Sequence, residues 1–149
     1  VNKRDIQNII TEWPTLTSEG FGVYYSPKYH APKTFDQKFD EEQSELLESA
    51  KICTKICEWL KGVKRTKNPN REANSYTMKH EVERDIGKYC SNGQFICAAI
   101  HMGFVFKREA PSLNGVNAFF NISSRCIQVK QKEQLRKNKK EMGWWKRRK

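Results

Sequence analysis

No stretch of this sequence approaches the roughly 20 consecutive apolar residues that a membrane-spanning helix requires. The longest apolar-rich run, residues 95–106, is interrupted by His101 and Gly103. Val1-Asn2-Lys3-Arg4-Asp5 leads into no apolar segment, so the N-terminus does not read as a secretory signal. The chain begins at Val1 and not at Met, which leaves a processed or earlier start open. Cys-x-x-Cys spacing is missing too. Cys53, Cys57, Cys90, Cys97 and Cys126 are an odd set without knuckle spacing, which argues against a zinc site and against a fully paired disulfide framework. Their neighbours are mostly apolar, and the expectation is small buried thiols in a reducing cytoplasm. Gly87, Gly93 and Gly103 lack the spacing of a phosphate-cradling loop.

Acidic residues are scarce where basic ones gather. Asp and Glu number 17 against 28 Lys and Arg, a net charge of +11. Residues 130–149 hold ten Lys or Arg and two Glu, a net of +8, so residues 1–129 carry only +3. The candidate nucleic-acid contacts of this tail are Arg136, Lys137, Lys139, Lys140, Trp144, Trp145, Lys146, Arg147, Arg148 and Lys149. Such cations neutralise phosphates, and paired indoles stack on unpaired bases. A second basic stretch, the acid-free residues 61–71, adds Lys64, Arg65, Lys67 and Arg71, although basic residues also favour a helix C-terminus for its dipole alone. Two other readings of the tail are an anchor on an anionic membrane surface and a solubilising end.

Hydrophobic spacing predicts the elements. Ile6, Ile9, Ile10 and Trp13 mark a short helix over 4–13, closed by Pro14. Residues 15–39, rich in Gly, Pro, Tyr and Phe, read as an irregular aromatic arm. From Asp40 a long helix carries the stripe Leu46, Leu47, Ala50, Cys53, Ile56, Cys57 and Leu60. Residues 66–74 read as a loop. A helix follows from Asn74 or Ser75 to about Tyr89, with Tyr76, Val82, Ile86 and Tyr89 as its apolar edge. The next helix, 94–102, is capped by Ser91 or Asn92 and is apolar nearly all round, with Gly103 as a left-handed C-cap. Two strand-like runs, 104–108 and 117–122, flank the Asn114-Gly115 turn signal and predict a β-hairpin. Ser123 or Ser124 starts a last helix, whose packing should fade after Leu135 and whose end should fray near Lys140.

The predicted fold is therefore small α+β, mainly helical, with one β-hairpin before the last helix. Residues 1–39 form the N-terminal helix and arm, 40–129 the core and 130–149 the basic extension. The block Ser75-Tyr76-Thr77-Met78-Lys79-His80-Glu81-Val82-Glu83, then residues 89–104, then Asn117-Ala118-Phe119-Phe120-Asn121-Ile122-Ser123 resembles short uncharacterised proteins carried by bacterial plasmids and prophages. That resemblance covers the middle third of the chain and implies no catalytic residue. The element order matches a winged helix, whose recognition helix would be 94–102. Only Gln94 and His101 in it offer polar groups to bases, so the expectation is a buried central helix. Any DNA contact from this region falls to Lys107 and Arg108 on the hairpin.

Metal and catalytic chemistry find little support. His80 is followed by Glu81, Glu83 and Asp85, a set that a metal-dependent nuclease would use. On a helix Glu83 points away from Glu81 and Asp85, and Lys79–Glu83 forms an i, i+4 pair. Cys53 with Cys57 and Cys97 with His101 are each one turn apart, and no activating motif surrounds any thiol. No cofactor is predicted. The expected function is non-enzymatic association with nucleic acid, of low sequence specificity, through the tail. The alternative is a partner-binding adaptor or secreted effector module that uses the aromatic arm.

Overall fold

In the computed structural model, which describes residues 1–111 and 115–147 (the last four by backbone only), one helix organises the rest. This is α6 (Asn92–His101), with Phe95, Ile96, Cys97, Ala98 and Ala99 all fully buried. Each large side chain so enclosed stabilises the fold by about 1.5–3 kcal/mol. Ser91 caps the helix in a reciprocal box with Gln94. Gly103 takes the left-handed conformation expected after its end, at φ +78°.

Around α6 lie α1 (Lys3–Glu12), α4 (Ala50–Leu60) and α5 (Ser75–Ile86). Asn2 and Asp5 form a capping box on α1, and Ile6, Ile9 and Ile10 face inward as their spacing predicts. α4 makes the broadest contact with α6: the Cys57 thiol approaches Ala98 O at 3.8 Å and the Cys53 thiol Gln94 O at 3.9 Å. The single helix expected from Asp40 is two helices. α3 (Phe35–Leu47) starts earlier because Thr34 and Gln37 cap it, and a break at Glu48 and Ser49 precedes α4. The Ser49 hydroxyl donates to Leu46 O at 2.5 Å, a local bond that competes with helix continuation.

α5 ends at Ile86, short of Tyr89, because Gly87 turns left-handed at φ +67° and donates its N–H to Glu83 O. Its expected apolar edge is only partly right. Met78 and Val82 are buried, whereas Tyr76 and Tyr89 are exposed.

The aromatic arm contains more order than its composition suggests. Strands β1 (Leu16–Thr17) and β2 (Gly20–Phe21) pair Leu16 with Phe21, and α2 (Pro27–His30) follows. The turn between the strands lies on the start of α6, where Gly93 N–H donates to Ser18 O at 2.9 Å. A Cβ on Gly93 would stand 1.7 Å from Thr17 O, so only glycine allows this approach. Phe21 also stacks on Phe106 with ring centres 5.6 Å apart.

The predicted hairpin is present as β3 (Phe106–Arg108) and β4 (Ala118–Phe120), antiparallel, with Phe106 opposite Phe120. The Asn114-Gly115 turn signal falls partly outside the described residues. The protein is thus a small, mainly helical α+β fold, and its described residues form two short hairpins where one was expected. Among the described residues no helix is long and apolar enough to cross a membrane. The last element, α7 (Ser124–Arg147), carries the basic segment.

Candidate nucleic-acid interface

Among the described residues, only the first two turns of α7 are tied to the body. Ile127 is buried in the common core. Lys130 Nζ lies 3.7 Å from Asp85 Oδ2 and 4.6 Å from the centre of the Trp59 ring. Gln131 Nε2 donates to Glu81 Oε1 at 3.3 Å. Beyond that the helix neither frays near Lys140 nor keeps packing to Leu135. It continues to Arg147, while Val129, Leu135 and Met142 are 48%, 59% and 63% exposed. Lys, Gln, Glu, Arg and Leu are good helix formers, so intrinsic propensity favours the arm where packing does not.

The helical form orders its charges. With about 100° between successive residues, Arg125, Lys132, Arg136 and Lys139 fall in one stripe. The docked residues Ile127, Lys130 and Gln131 fall on the opposite side. The stripe spans about 21 Å along the axis. Lys132, Leu135, Arg136 and Lys139 frame a shallow depression of about 200 Å³ on it. Lys64, from the loop after α4, lines a neighbouring depression of about 400 Å³ together with Arg125 and Lys130. Among the described residues, Lys130 is the only cation of α7 in an ion pair.

The other residues expected to contact phosphate divide in two. Lys137, Lys140, Lys67, Arg71 and Lys107 are exposed. Arg65 and Arg108 are engaged within the protein. The Arg65 guanidinium donates to Met102 O at 2.7 Å and Gly103 O at 3.2 Å, and lies 3.9 Å over the Phe104 ring. Arg108 donates to Phe21 O at 3.4 Å and lies 4.7 Å over the Phe21 ring. The 61–71 segment is also stitched to the region after β4: Thr66 N–H donates to Asn121 O, and Ser123 N–H to Lys64 O, each at 2.9 Å. The side chains of Trp144, Trp145, Lys146 and Arg147, and all of Arg148 and Lys149, lie outside the described residues. Sequence reasoning missed Arg125 and Lys132. Their i, i+7, i+11, i+14 spacing with Arg136 and Lys139 was the signal, once the tail is read as helix.

The recognition-helix alternative fails on burial, since nearly all of α6 is enclosed. The carboxylates after His80 separate as well. Glu83 accepts from Lys79 Nζ at 3.1 Å and lies 3.0 Å from His80 Nδ1. Glu81 is buried and paired with Arg84, and Asp85 accepts the Trp59 indole N–H at 2.6 Å. Burial opposes the Glu83 charge, but Lys79, the Cys90 N–H and His80 outweigh it and hold the pKa below the ordinary value. All five cysteines are free thiols. Burial, then the Glu83 carboxylate, pushes Cys90 up to about 12. Burial, then Cys53, pushes Cys57 up to about 11. A hydrogen bond with Cys53, then burial, pushes Cys97 up as well. Cys57, Cys90 and Cys97 thus resist forming the thiolate that nucleophilic or metal chemistry needs, whereas a hydrogen bond with Cys97 outweighs burial and holds the Cys53 pKa below its ordinary value. Among the described residues, no three of His, Cys, Asp and Glu converge to hold a metal ion.

Compared with family models, curated proteins and solved structures, the chain matches none of them.

Proposed function

We propose that this protein associates with nucleic acid without catalysing a reaction, through the basic helical arm α7. The observation that carries the reading is the stripe of Arg125, Lys132, Arg136 and Lys139, turned away from the docking face and free of ion pairs among the described residues. Unpaired cations at this spacing gain most by displacing counter-ions from a phosphate backbone, which supports affinity with little base discrimination. Lys64 extends the same surface, and Lys67, Arg71 and Lys107 are accessory.

The test is a salt series on the full chain and on a Lys132→Gln/Arg136→Gln/Lys139→Gln variant, whose replacements keep helix propensity. Duplex DNA, single strands, RNA and anionic vesicles are the ligands. The wild type should bind nucleic acid with an affinity that falls steeply with salt, and the variant should lose roughly two to three units of salt slope. Equal binding by wild type and variant would sink the reading. Binding to vesicles alone would replace it with a membrane-surface role.

A second reading is a protein-binding adaptor built on the aromatic arm. The observation in its favour is that Tyr24, Tyr29 and Phe35 remain exposed while Leu16 and Phe21 of the same segment are buried. Exposed aromatics of this kind anchor interfaces. A partner set unchanged by Tyr24→Ala/Tyr29→Ala would remove it.

A further inference from the structure

α7 leaves the body as a rod. Past Gln131, the last of its side chains bonded to another element among the described residues, the helix runs on to Arg147, about 24 Å of axis. Every residue from Lys132 to Met142 except the half-buried Gln134 is exposed. The body therefore leaves this stretch open to a ligand that lies along it.

Charge is sorted around the rod. At about 100° per residue, Arg125 and Gly143 lie on one line, about five turns apart. Of the five cations from Lys132 to Lys140, four lie within about 60° of that line. They straddle it: Lys132 and Lys139 lean to one side by about 20° and 40°, Arg136 and Lys140 to the other by about 20° and 60°. Lys137 stands further round, at about 120°. Glu133 and Glu141, the two acids of the same stretch, are displaced by about 80° and 160°. A Cβ on Gly143 would meet nothing within 4 Å, so the line between the two rows of cations stays open there.

This arrangement selects among polyanions. Two rows of cations match two rows of phosphates, and a single strand offers one. Residues 132–143 contain no Phe, Tyr or Trp, so this stretch holds no platform for unpaired bases. Leu135 and Met142 stand about 80–100° off the line, too few for the apolar face that an interfacial helix buries. The major groove of B-form DNA, about 12 Å wide, admits a helix about 10–12 Å across and sets phosphates on both of its sides. The major groove of A-form RNA is too deep and narrow to do so.

We infer that α7 lies in the major groove of B-form duplex DNA, with Lys132 and Lys139 on the phosphates of one strand and Arg136 and Lys140 on those of the other. This rests on the nucleic-acid reading above and assigns it a duplex and a groove. Contacts of this kind hold the helix in place with little choice of bases.

The experiment measures binding of the full 149-residue chain to one A·T-containing sequence in four forms at fixed salt. The forms are duplex DNA, the same duplex with glucosyloxymethyl groups on cytosine C5 that fill the major groove, double-stranded RNA and single-stranded DNA. The plain duplex should bind roughly tenfold or more tightly than each of the other three. Saturating netropsin, which occupies the minor groove, should leave the protein bound. Two charge-matched variants test the face: Gly143→Glu sets a carboxylate on the line, and Gln134→Glu sets one about 180° away. Gly143→Glu should weaken duplex binding roughly tenfold and Gln134→Glu less than about threefold. Equal affinity for the RNA duplex, the glucosylated duplex or the single strand, displacement by netropsin, or equal losses in the two variants would overturn the groove assignment and leave the nucleic-acid reading standing. Absence of salt-dependent binding to all four forms would remove both.

Discussion

Trp59 donates its indole N–H to Asp85 Oδ2 at 2.6 Å, and Lys130 of α7 closes on both, as ion-pair partner to the carboxylate and cation over the ring. One contact group thus joins α4, α5 and the base of the basic arm. Asp85→Ala should lower stability by about 1 kcal/mol in urea unfolding, the scale of one net charged hydrogen bond in a part-exposed setting. Nucleic-acid affinity should change less than with Lys132→Gln/Arg136→Gln/Lys139→Gln. An equal loss of affinity would mean that the pose of the arm matters as much as its charge.

Arg65 and Lys67 stand two residues apart in the same basic stretch and have different work. Both are exposed, but Arg65 satisfies the carbonyls of Met102 and Gly103 at the end of α6 and stacks on Phe104. Arg65→Ala should cost roughly 1–3 kcal/mol in denaturant unfolding. Arg65→Lys should recover only part of this, because an ammonium lacks the planar fork. Lys67→Ala should leave stability within about 0.5 kcal/mol.

Thiol reactivity should order itself by burial. Cys126 is the one cysteine only partly buried. With a disulfide-exchange reagent at mildly alkaline pH, it should react first, and Cys53, Cys57, Cys90 and Cys97 only as the protein unfolds. Fast release of more than one thiol from the native protein would contradict the enclosed α4–α6 contact.

Acid stability should depend on Glu83. Its folded pKa is depressed from 4.5, so the stability it contributes is complete above the unfolded value and is lost as pH falls through the folded one. Glu83→Gln should lower the midpoint of thermal unfolding at neutral pH. It should also flatten the decline of stability below about pH 4.5. A decline as steep as that of the wild type would assign acid sensitivity to other carboxylates.

Gly93→Ala tests the seat of the first hairpin. The added methyl would meet Thr17 O at 1.7 Å, and that atom belongs to backbone. A loss of about 2–4 kcal/mol is expected, at or above the upper range for overpacking, since strand and helix must separate. Gly143→Ala, where nothing lies within 4 Å, should instead stabilise α7 slightly.

Elements with a strong local signature are legible in the sequence alone. Ile6, Ile9 and Ile10 mark α1, and Ser91 with Gln94 announces α6. The unbroken apolar character of α6 places it inside, which removes it as a groove reader. The break at Ser49 is not legible, because the apolar stripe from Leu46 to Leu60 continues through it. Only the Ser49 hydroxyl, turned back on Leu46 O, marks the break. β1 and β2 are two residues each, too short for a period of two to register. What holds them is distant: Phe106, Val116 and Gly93.

By itself the sequence determined the composition of a basic segment, the buried central helix and the hairpin ahead of the last helix, because each rests on local spacing or local charge. Tertiary structure decided which charges are free. Arg65 and Lys67, or Arg108 and Lys107, are near-equivalent as letters, and only the carbonyls and rings that chain folding brings beside the arginines give them a structural role. The wall shared by Glu19, Glu42, Asn92 and Asn117 belongs to the same class, because these residues are far apart along the chain and meet only where the first hairpin, α3 and the start of α6 join.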